Sequence, residues 1–404
     1  MRKYKVGLIG IGGFGRVHAD TIMDLAAEGY LELTAFAEPY IHLSKATYDK
    51  LISAGARHYS DYNDMLQSHP DIDFITIATP IHLHKDMSIA VMEKGFNVLL
   101  EKPPAVTIQD IDAIIQVQRL SGKLCAVNFQ NTSGKAFQML LEKVKQGILG
   151  EIQSITGVGM WKRTQAYYSR TAWAGKLVVN GKYILDGTIN NPFAHLLNNC
   201  LIIAGYGNTT NAAPHWVQAE LYKAHNIAGE DTSCVRIYTI NGVEIRFFAT
   251  LCNKFDDIPY ISVQGSKGKA YWNFNNLLQI TDEEGNKENY LFGQENLFKN
   301  IYDNLIDVLG DNNKQLFSSI ESCRSFILAS NGAFESCGRT IKIPEEHLII
   351  SQENDTVATY IKDIEEIFQK ACSTGKLFSE VSAAWASTTK PFPMKGYNCF
   401  NLFL

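Results

Sequence analysis

Short apolar runs alternate with amphipathic stretches over residues 1–126. Lys5–Gly10 and Leu33–Ala37 read as strands, each followed by a helix, over His18–Glu28 and Ile41–Ala54. A short helix over Asp61–Gln67 precedes the strand Phe74–Ala78. His84–Lys94 is a helix closed by Gly95, Val98–Leu100 a strand, Ile108–Ser121 a helix ended by Gly122, and Leu124–Val127 a further strand. Strands and helices alternating at this length imply βαβ units and a parallel sheet covered on both faces. After about residue 128 the rhythm changes. Lys135–Gln146 is amphipathic, and several strands follow. Thr232–Ile240 and Val243–Leu251 alternate around Asn241-Gly242, a hairpin signal because both turn residues tolerate positive φ. Ile258–Gly265 and Lys269–Phe274 form a second hairpin around Ser266-Lys267. These strands predict an open antiparallel sheet. Helices are expected over Glu295–Leu309, Ser319–Ser336 and Thr356–Ser373. The aromatic-rich end, Lys390–Leu404, is expected to pack on the body or on a neighbouring subunit.

At 404 residues the chain exceeds a typical single core, so two domains are the default. Its 46% hydrophobic and 20% charged residues are ordinary globular values. The formal charge of −5, without a basic block, argues against nucleic acid or anionic membrane as partners. No apolar run approaches the roughly 20 residues that span a bilayer. The start runs directly into a strand with no signal-peptide pattern. Eight scattered cysteines without a Cys-x-x-Cys pair read as free thiols in a reducing cytoplasm. His82 and His84 are spaced to face one ion, but no third ligand is nearby, so no metal is expected.

Gly10-Ile11-Gly12-Gly13-Phe14-Gly15 follows a strand and opens a helix, the context in which G-x-G-x-x-G binds a dinucleotide. Gly10 makes the tight turn, Gly12 lets backbone approach the pyrophosphate, and Gly15 lets the helix pack on the strand. The helix N-terminus then faces the phosphates. Glu38, at the end of the second strand, sits where a carboxylate bonds a ribose 2′-hydroxyl and repels a 2′-phosphate. NAD is therefore favoured over NADP. Ala78, Thr79 and Pro80 follow the third main strand and are expected against the ribose or nicotinamide side. His84 either joins them or caps the next helix.

Glu101-Lys102-Pro103-Pro104 follows another apolar strand. The two prolines fix φ and prevent a helix from starting at the lysine. A stiff segment of this kind holds an ammonium in one place, and a partly dry cleft suits it to acid–base work. The alternative for Glu-Lys-Pro alone is a solvated loop lysine. The glycine turn and Glu38 favour the first reading.

These motifs, with Ala37-Glu38-Pro39, Ala78-Thr79-Pro80-Ile81-His82-Leu83-His84 and Gly147-Ile148-Leu149-Gly150-Glu151-Ile152, resemble in order those of the Gfo/Idh/MocA family. That family is named for glucose–fructose oxidoreductase and inositol dehydrogenase. The resemblance covers roughly residues 1–340. It implies a Rossmann domain (1–128) and an α+β substrate and oligomerisation domain (129–345) with a large open sheet; the C-terminal helix and extended tail (346–404) are expected to pack on the body. It implies a bound nicotinamide cofactor contacted also by Phe14, Gly13, Glu101 and Lys102. It implies a sugar or cyclitol substrate, and dimers or tetramers through the open sheet. Lys102 would be the catalytic lysine and Asp186 the aspartate of the second-domain motif.

Three departures stand out. Asn128-Phe129-Gln130-Asn131-Thr132 lacks the family's arginine pair, and Asn180-Gly181-Lys182 replaces its glycine triplet. Asn190, expected to touch substrate, occupies the place of the family's His or Tyr and cannot titrate. On one continuous helix His195 would point about 180° away from Asp186. A helix capped by Asn191 and starting at Pro192 would instead put His195 in its first turn, where the dipole keeps the imidazole neutral. His195 is then a candidate base or a substrate-orienting group. A core-facing histidine bonded to a carbonyl is the equal alternative. The stretch from Trp161 to Lys176 reads as a substrate loop: Trp161, Tyr167 and Tyr168 offer faces for sugar C–H surfaces, and Arg163 bonds hydroxyls.

The sequence thus predicts an NAD-dependent oxidoreductase acting on a secondary hydroxyl of a sugar, glycoside or cyclitol. The rivals are a glycosidase or lyase assisted by tightly bound NAD, and a non-catalytic NAD- and sugar-binding regulator.

Overall fold

A computed structural model describes residues 2–205, 212–353 and 355–402. The chain divides into two compact units. The first comprises Met1–Ala105, Asp110–Ser133 and Asn296–Cys323; the second comprises Val106–Gln109, Gly134–Glu295 and Arg324–Leu404.

Six strands form the first unit's sheet: β1 (Tyr4–Ile9), β2 (Leu31–Ala37), β3 (Arg57–Tyr59), β4 (Phe74–Ile77), β5 (Asn97–Leu100) and β6 (Cys125–Val127). Their order is β3-β2-β1-β4-β5-β6, and every pairing is parallel. Val6, Leu8, Ile75, Ile77, Val98 and Leu99 are wholly buried, as strands covered on both faces must be. The order reverses between β1 and β4. The carboxyl ends of these two strands therefore form the switch-point crevice where open α/β sheets take ligands. The helix Leu297–Gly310 belongs to this unit, and Ile301, Tyr302 and Leu305 enter its core beside Leu8, Ile22 and Phe74. A division at 128/129 does not foresee that return.

In the second unit, β7 (Ile152–Met160) precedes a small pairing of β8 (Val178–Val179) with β9 (Lys182–Tyr183). There follow β10 (Pro214–Lys223), β11 (Thr232–Thr239), β12 (Glu244–Thr250), β13 (Tyr260–Gly265), β14 (Gly268–Asn273), β15 (Leu277–Asp282), β16 (Lys287–Leu291) and β17 (Ile341–Lys342). The large sheet runs β16-β15-β14-β13-β7-β12-β11-β10-β17. It is antiparallel except where β7 meets β12 and β10 meets β17. Both predicted hairpins are present, and Gly242 takes φ of 87° in the first of them. Helices Ala194–Ala204 and Arg324–Cys337 pack on the sheet.

The helix expected over Thr356–Ser373 is corrected. Thr356–Ile361 is a strand, β19, paired with β18 (Leu348–Glu353), and the helix begins only at Ile364. Thr356, Val357, Thr359, Tyr360 and Ile361 are β-branched or aromatic and suit a half-buried strand. Asp363, at φ of 57°, separates strand from helix. Ile364, Phe368, Phe378 and Trp385 pack with Val158, Tyr222 and Phe248 in this unit's core.

Candidate active site

The glycine turn is stereochemically closed to other residues. Gly10 has φ of 87°, and a Cβ there would lie 2.5 Å from the Ala78 carbonyl oxygen. At Gly15 a Cβ would lie 2.3 Å from the Gly10 oxygen, so loop and helix touch through backbone alone. Gly13, at φ of 52°, caps the helix Phe14–Ala27, and a Cβ at that position would meet nothing within 4 Å. The helix thus starts four residues before the predicted His18, and its first turn is tight: Gly15 N–H donates to the Gly12 carbonyl at 2.8 Å and Arg16 N–H to that of Gly13 at 3.3 Å.

Glu38 is fixed at the end of β2. Its Oε2 accepts from Ile11 N–H at 3.2 Å and its Oε1 from Tyr40 N–H at 2.9 Å. The carboxylate is tied to the glycine turn itself, a fit for a ribose diol beside the pyrophosphate. Glu38→Ala is expected to weaken NAD about 10-fold while leaving NADP affinity unchanged or improved, read by titration calorimetry with each dinucleotide.

Lys102 is half-buried, and its Nζ lies 5.9 Å from the centroid of the Phe14 ring, at the first residue after the glycine turn. Two buried histidines hold the segment around it. His84 is the first residue of its helix and does not cap it. Its Nδ1 lies 2.9 Å from the Pro103 carbonyl oxygen and its Nε2 2.8 Å from that of Thr79. Burial lowers its pKa, so one ring nitrogen donates at a time. His84 thereby links the end of β4 to the proline pair. Pro80 is exposed next to it, while Thr79 Oγ1 donates to Met87 Sδ.

On the other side, Glu101 is 5% exposed. Its Oε1 lies 2.8 Å from His18 Nε2 and accepts from Asn128 Nδ2 at 2.6 Å; its Oε2 accepts from the Lys102 N–H at 3.0 Å. Burial would raise this carboxyl, but the His18 bond and charge, Lys102 and Asn128 together bring it down to about 2. Glu101 was expected to contact cofactor; in the structure its oxygens are engaged inside the unit. His18 Nδ1 in turn meets Tyr302 Oη at 2.8 Å, and that hydroxyl meets Thr76 Oγ1 at 3.1 Å. The sequence reading missed His18, Asn128 and Tyr302.

In the second unit, Asp186 is 4% exposed. Its Oδ2 accepts from Gly175 N–H at 2.6 Å and its Oδ1 from Asn191 Nδ2 at 2.8 Å. Leu185, just before it, sits at φ of 50°, a left-handed conformation rare for a bulky residue and held here by its surroundings. The expected cap is corrected: Asn191 serves Asp186, and the helix starts at Ala194 with Phe193 as its cap. His195 still falls in that first turn and is buried. Asn190 is 2% exposed and turned inward, donating to the Leu185 carbonyl at 3.1 Å and accepting from Ser330 Oγ at 2.9 Å. It ties the turn together.

A further carboxyl, unforeseen, lies against this turn. Glu230 is wholly buried; its Oε1 accepts from Ile189 N–H at 3.1 Å and Thr188 Oγ1 at 3.4 Å. A Cβ on Gly187 would lie 2.1 Å from Glu230 Oε2, so any larger residue after Asp186 would displace the Glu230 carboxyl. Burial first, and the Asp186 charge among lesser causes, push Glu230 up to about 8. The folded value exceeds the unfolded one near 4.5. Its contribution is therefore fully present below pH ~4.5 and lost as pH rises through about 8. Glu230→Gln is expected to flatten the fall of thermal stability across that window, measured by calorimetry at a series of pH values.

The predicted substrate loop splits into two faces. Arg163 lies 4.7 Å from the Trp161 ring and 5.5 Å from the Tyr167 ring, and Arg170 lies 3.6 Å from the Tyr167 ring. Trp161 also packs on Phe193 at 4.5 Å. Tyr168 is corrected from a surface contact to a buried one: it is 7% exposed and packs on His225 at 4.9 Å. Among the described residues, His225, Asp231 and Cys252 offer metal-ligand atoms within 4.8 Å of one another. The Asp231 carboxylate already accepts from the N–H groups of Ala224 and His225 and from His225 Nδ1, which makes it a staple of its loop.

With this geometry in hand, comparison with known proteins is direct. Residues 4–129 match the family described as "Oxidoreductase family, NAD-binding Rossmann fold". Over these residues the chain is similar to the Gfo/Idh/MocA oxidoreductases. The levoglucosan dehydrogenase of Pseudarthrobacter phenanthrenivorans is 25% identical over 218 residues, 52% of this chain and 54% of that protein. A glycosyl hydrolase family 109 protein of Shewanella baltica is 29% identical over 154 residues, 37% of this chain and 33% of its own. The chain thus aligns with about half or less of the length of these relatives. The WlbA dehydrogenase of Bordetella pertussis, solved with NADH and UDP-GlcNAcA, has the same fold at a TM-score of 0.67 and 22% identity, over 83% of this chain and 97% of that one. Among the described residues, no helix is long and apolar enough to cross a membrane.

Proposed function

We propose that this chain is a Gfo/Idh/MocA-type, NAD-dependent oxidoreductase acting on a secondary hydroxyl of a sugar, glycoside or cyclitol. The observation that carries the reading is the Lys102 ammonium held beside Phe14, where the glycine turn opens into its helix. NAD bound there would supply the hydride acceptor. Gly10, Gly12, Gly13 and Gly15 would admit the pyrophosphate, with Glu38 on the adenosine ribose and Phe14, Ala78, Thr79 and Pro80 lining the same strand ends. Lys102 takes the proton that leaves the hydroxyl as the carbinol carbon is oxidised, and returns it in the reverse direction. Asp186, held by Gly175 and Asn191, orients a substrate hydroxyl, and His195 is assigned to the same task or to the proton path. Trp161, Arg163 and Tyr167 present the stacking and hydrogen-bonding surface a sugar requires. Buried Tyr168 backs that surface through its edge contact with Tyr167, and Asn190 braces the turn after Asp186.

The resemblance to levoglucosan dehydrogenase supports a sugar substrate. The resemblance to a glycosyl hydrolase favours a second reading, in which transient oxidation at a ring carbon leads to glycoside cleavage without net NADH. Scattered free thiols suit a cytoplasmic protein, and the open sheet suits a homodimer or homotetramer. A panel of free sugars, glycosides and cyclitols incubated with NAD tests the proposal. NADH absorbance with at least one of them supports a dehydrogenase, sugar release without absorbance supports the second reading, and neither outcome overturns both.

A further inference from the structure

The first unit buries a row of polar side chains that none of the assigned roles uses. Thr76, His18 and Tyr302 are 0% exposed and Asn128 is 1% exposed. They come from β4, the glycine-turn helix, the helix Leu297–Gly310 and the end of β6. Their polar atoms form one chain: Thr76 Oγ1 lies 3.1 Å from Tyr302 Oη, Tyr302 Oη lies 2.8 Å from His18 Nδ1, and His18 Nε2 donates to Glu101 Oε1 at 2.8 Å. Asn128 Nδ2 donates to the same oxygen, and the Lys102 backbone N–H to Oε2. Every donor converges on one carboxylate, since an ionised carboxylate only accepts. Burial keeps the Tyr302 proton in place, because its phenol is pushed far above the ordinary range.

We propose that His18 and Glu101 form a buried anionic anchor for Lys102, fixing its backbone through Glu101 Oε2 and holding its ammonium electrostatically from within the fold. His18 and Glu101 are positioning residues, and Lys102 is the group they act on. The proposal rests on the role given to Lys102, though its physical content does not need turnover. A carboxylate one residue away in a dry interior favours the charged form of the amine far more than the same carboxylate in water. His18 also links that charge to the helix behind the glycine turn, so cofactor turn and lysine share one support. Among the described residues, the titratable groups facing Glu101 include His18, Lys102, His84 and, behind His18, Tyr302.

The test reads Lys102 itself. The full-length protein is labelled with an amine-acylating reagent across a pH series, and the Lys102 peptide is quantified by mass spectrometry against the surface Lys45 peptide. In Glu101→Gln the pH midpoint of Lys102 labelling is expected to fall by about one unit, because the anion is gone. Glu101→Asp keeps the charge and should keep the wild-type midpoint even where looser packing raises the labelling rate. His18→Phe, which removes the donor, should raise the rate at all pH values. An unchanged midpoint in a folded Glu101→Gln, or the same fall in Glu101→Asp, overturns the anchor. Should the wild type turn over no sugar, the labelling result still stands or falls alone, so the two failures are distinguishable.

Discussion

Lys102→Met is expected to lower sugar-dependent NADH formation by about 10³-fold or more, while NAD affinity stays within about 3-fold of wild type. Methionine keeps the length and apolar stem of the side chain but neither accepts nor returns a proton. The groups proposed to bind dinucleotide, Glu38 and the glycine turn, are untouched, because Glu38 is held by Ile11 and Tyr40 and the turn by its own backbone. Initial rates with the best substrate of the panel, beside calorimetric NAD titration, read both effects. Undiminished turnover removes Lys102 from the chemistry. Equal loss of turnover and NAD binding makes it a cofactor contact instead.

Asp186→Asn has the second largest expected effect. The wild-type carboxylate receives two donors, Gly175 N–H and Asn191 Nδ2. An asparagine offers one acceptor and brings an NH₂ group, so one of those donors faces another donor whichever way the amide lies. Glu230, pressed on Gly187, leaves the turn little freedom to relax. The variant is expected to lose about 10²-fold in kcat/KM, with a rise in KM, and to bind NAD normally. Wild-type kcat/KM would show that the aspartate only closes the loop.

The glycine turn, Glu38 and the Glu101-Lys102-Pro103 segment were legible because each is a local pattern whose chemistry is written within a few residues. The alternation of strands and helices was legible for the same reason, and it predicts both hairpins and the strands of the parallel sheet except the short edge strand β3 (Arg57–Tyr59). What escaped depends on distance along the chain. Tyr302 reaches His18 across 284 residues, and no spacing rule connects them. The helix that carries Tyr302 looks like any amphipathic helix of the second half, yet it packs in the first unit. At Thr356–Ile361 the predicted helix was carried over β-branched and aromatic residues that pair with β18 as a strand. At Asn191 the amide Nδ2 donates to the Asp186 carboxylate, and the chain stays in a turn until the helix starts at Ala194. Glu230 was invisible because nothing in Gly-Glu-Asp-Thr announces that its carboxyl lies under Asp186.

The central claim is that this chain moves a hydride from a sugar carbon to NAD. The direct measurement uses the best sugar of the panel deuterated at the carbon that is oxidised, with the reduced cofactor analysed by mass spectrometry. The account predicts one deuterium in each NADH formed, with slower turnover than for the protiated sugar. Reduced cofactor without deuterium, or sugar consumption with no reduced cofactor and no release of an aglycone, would contradict it.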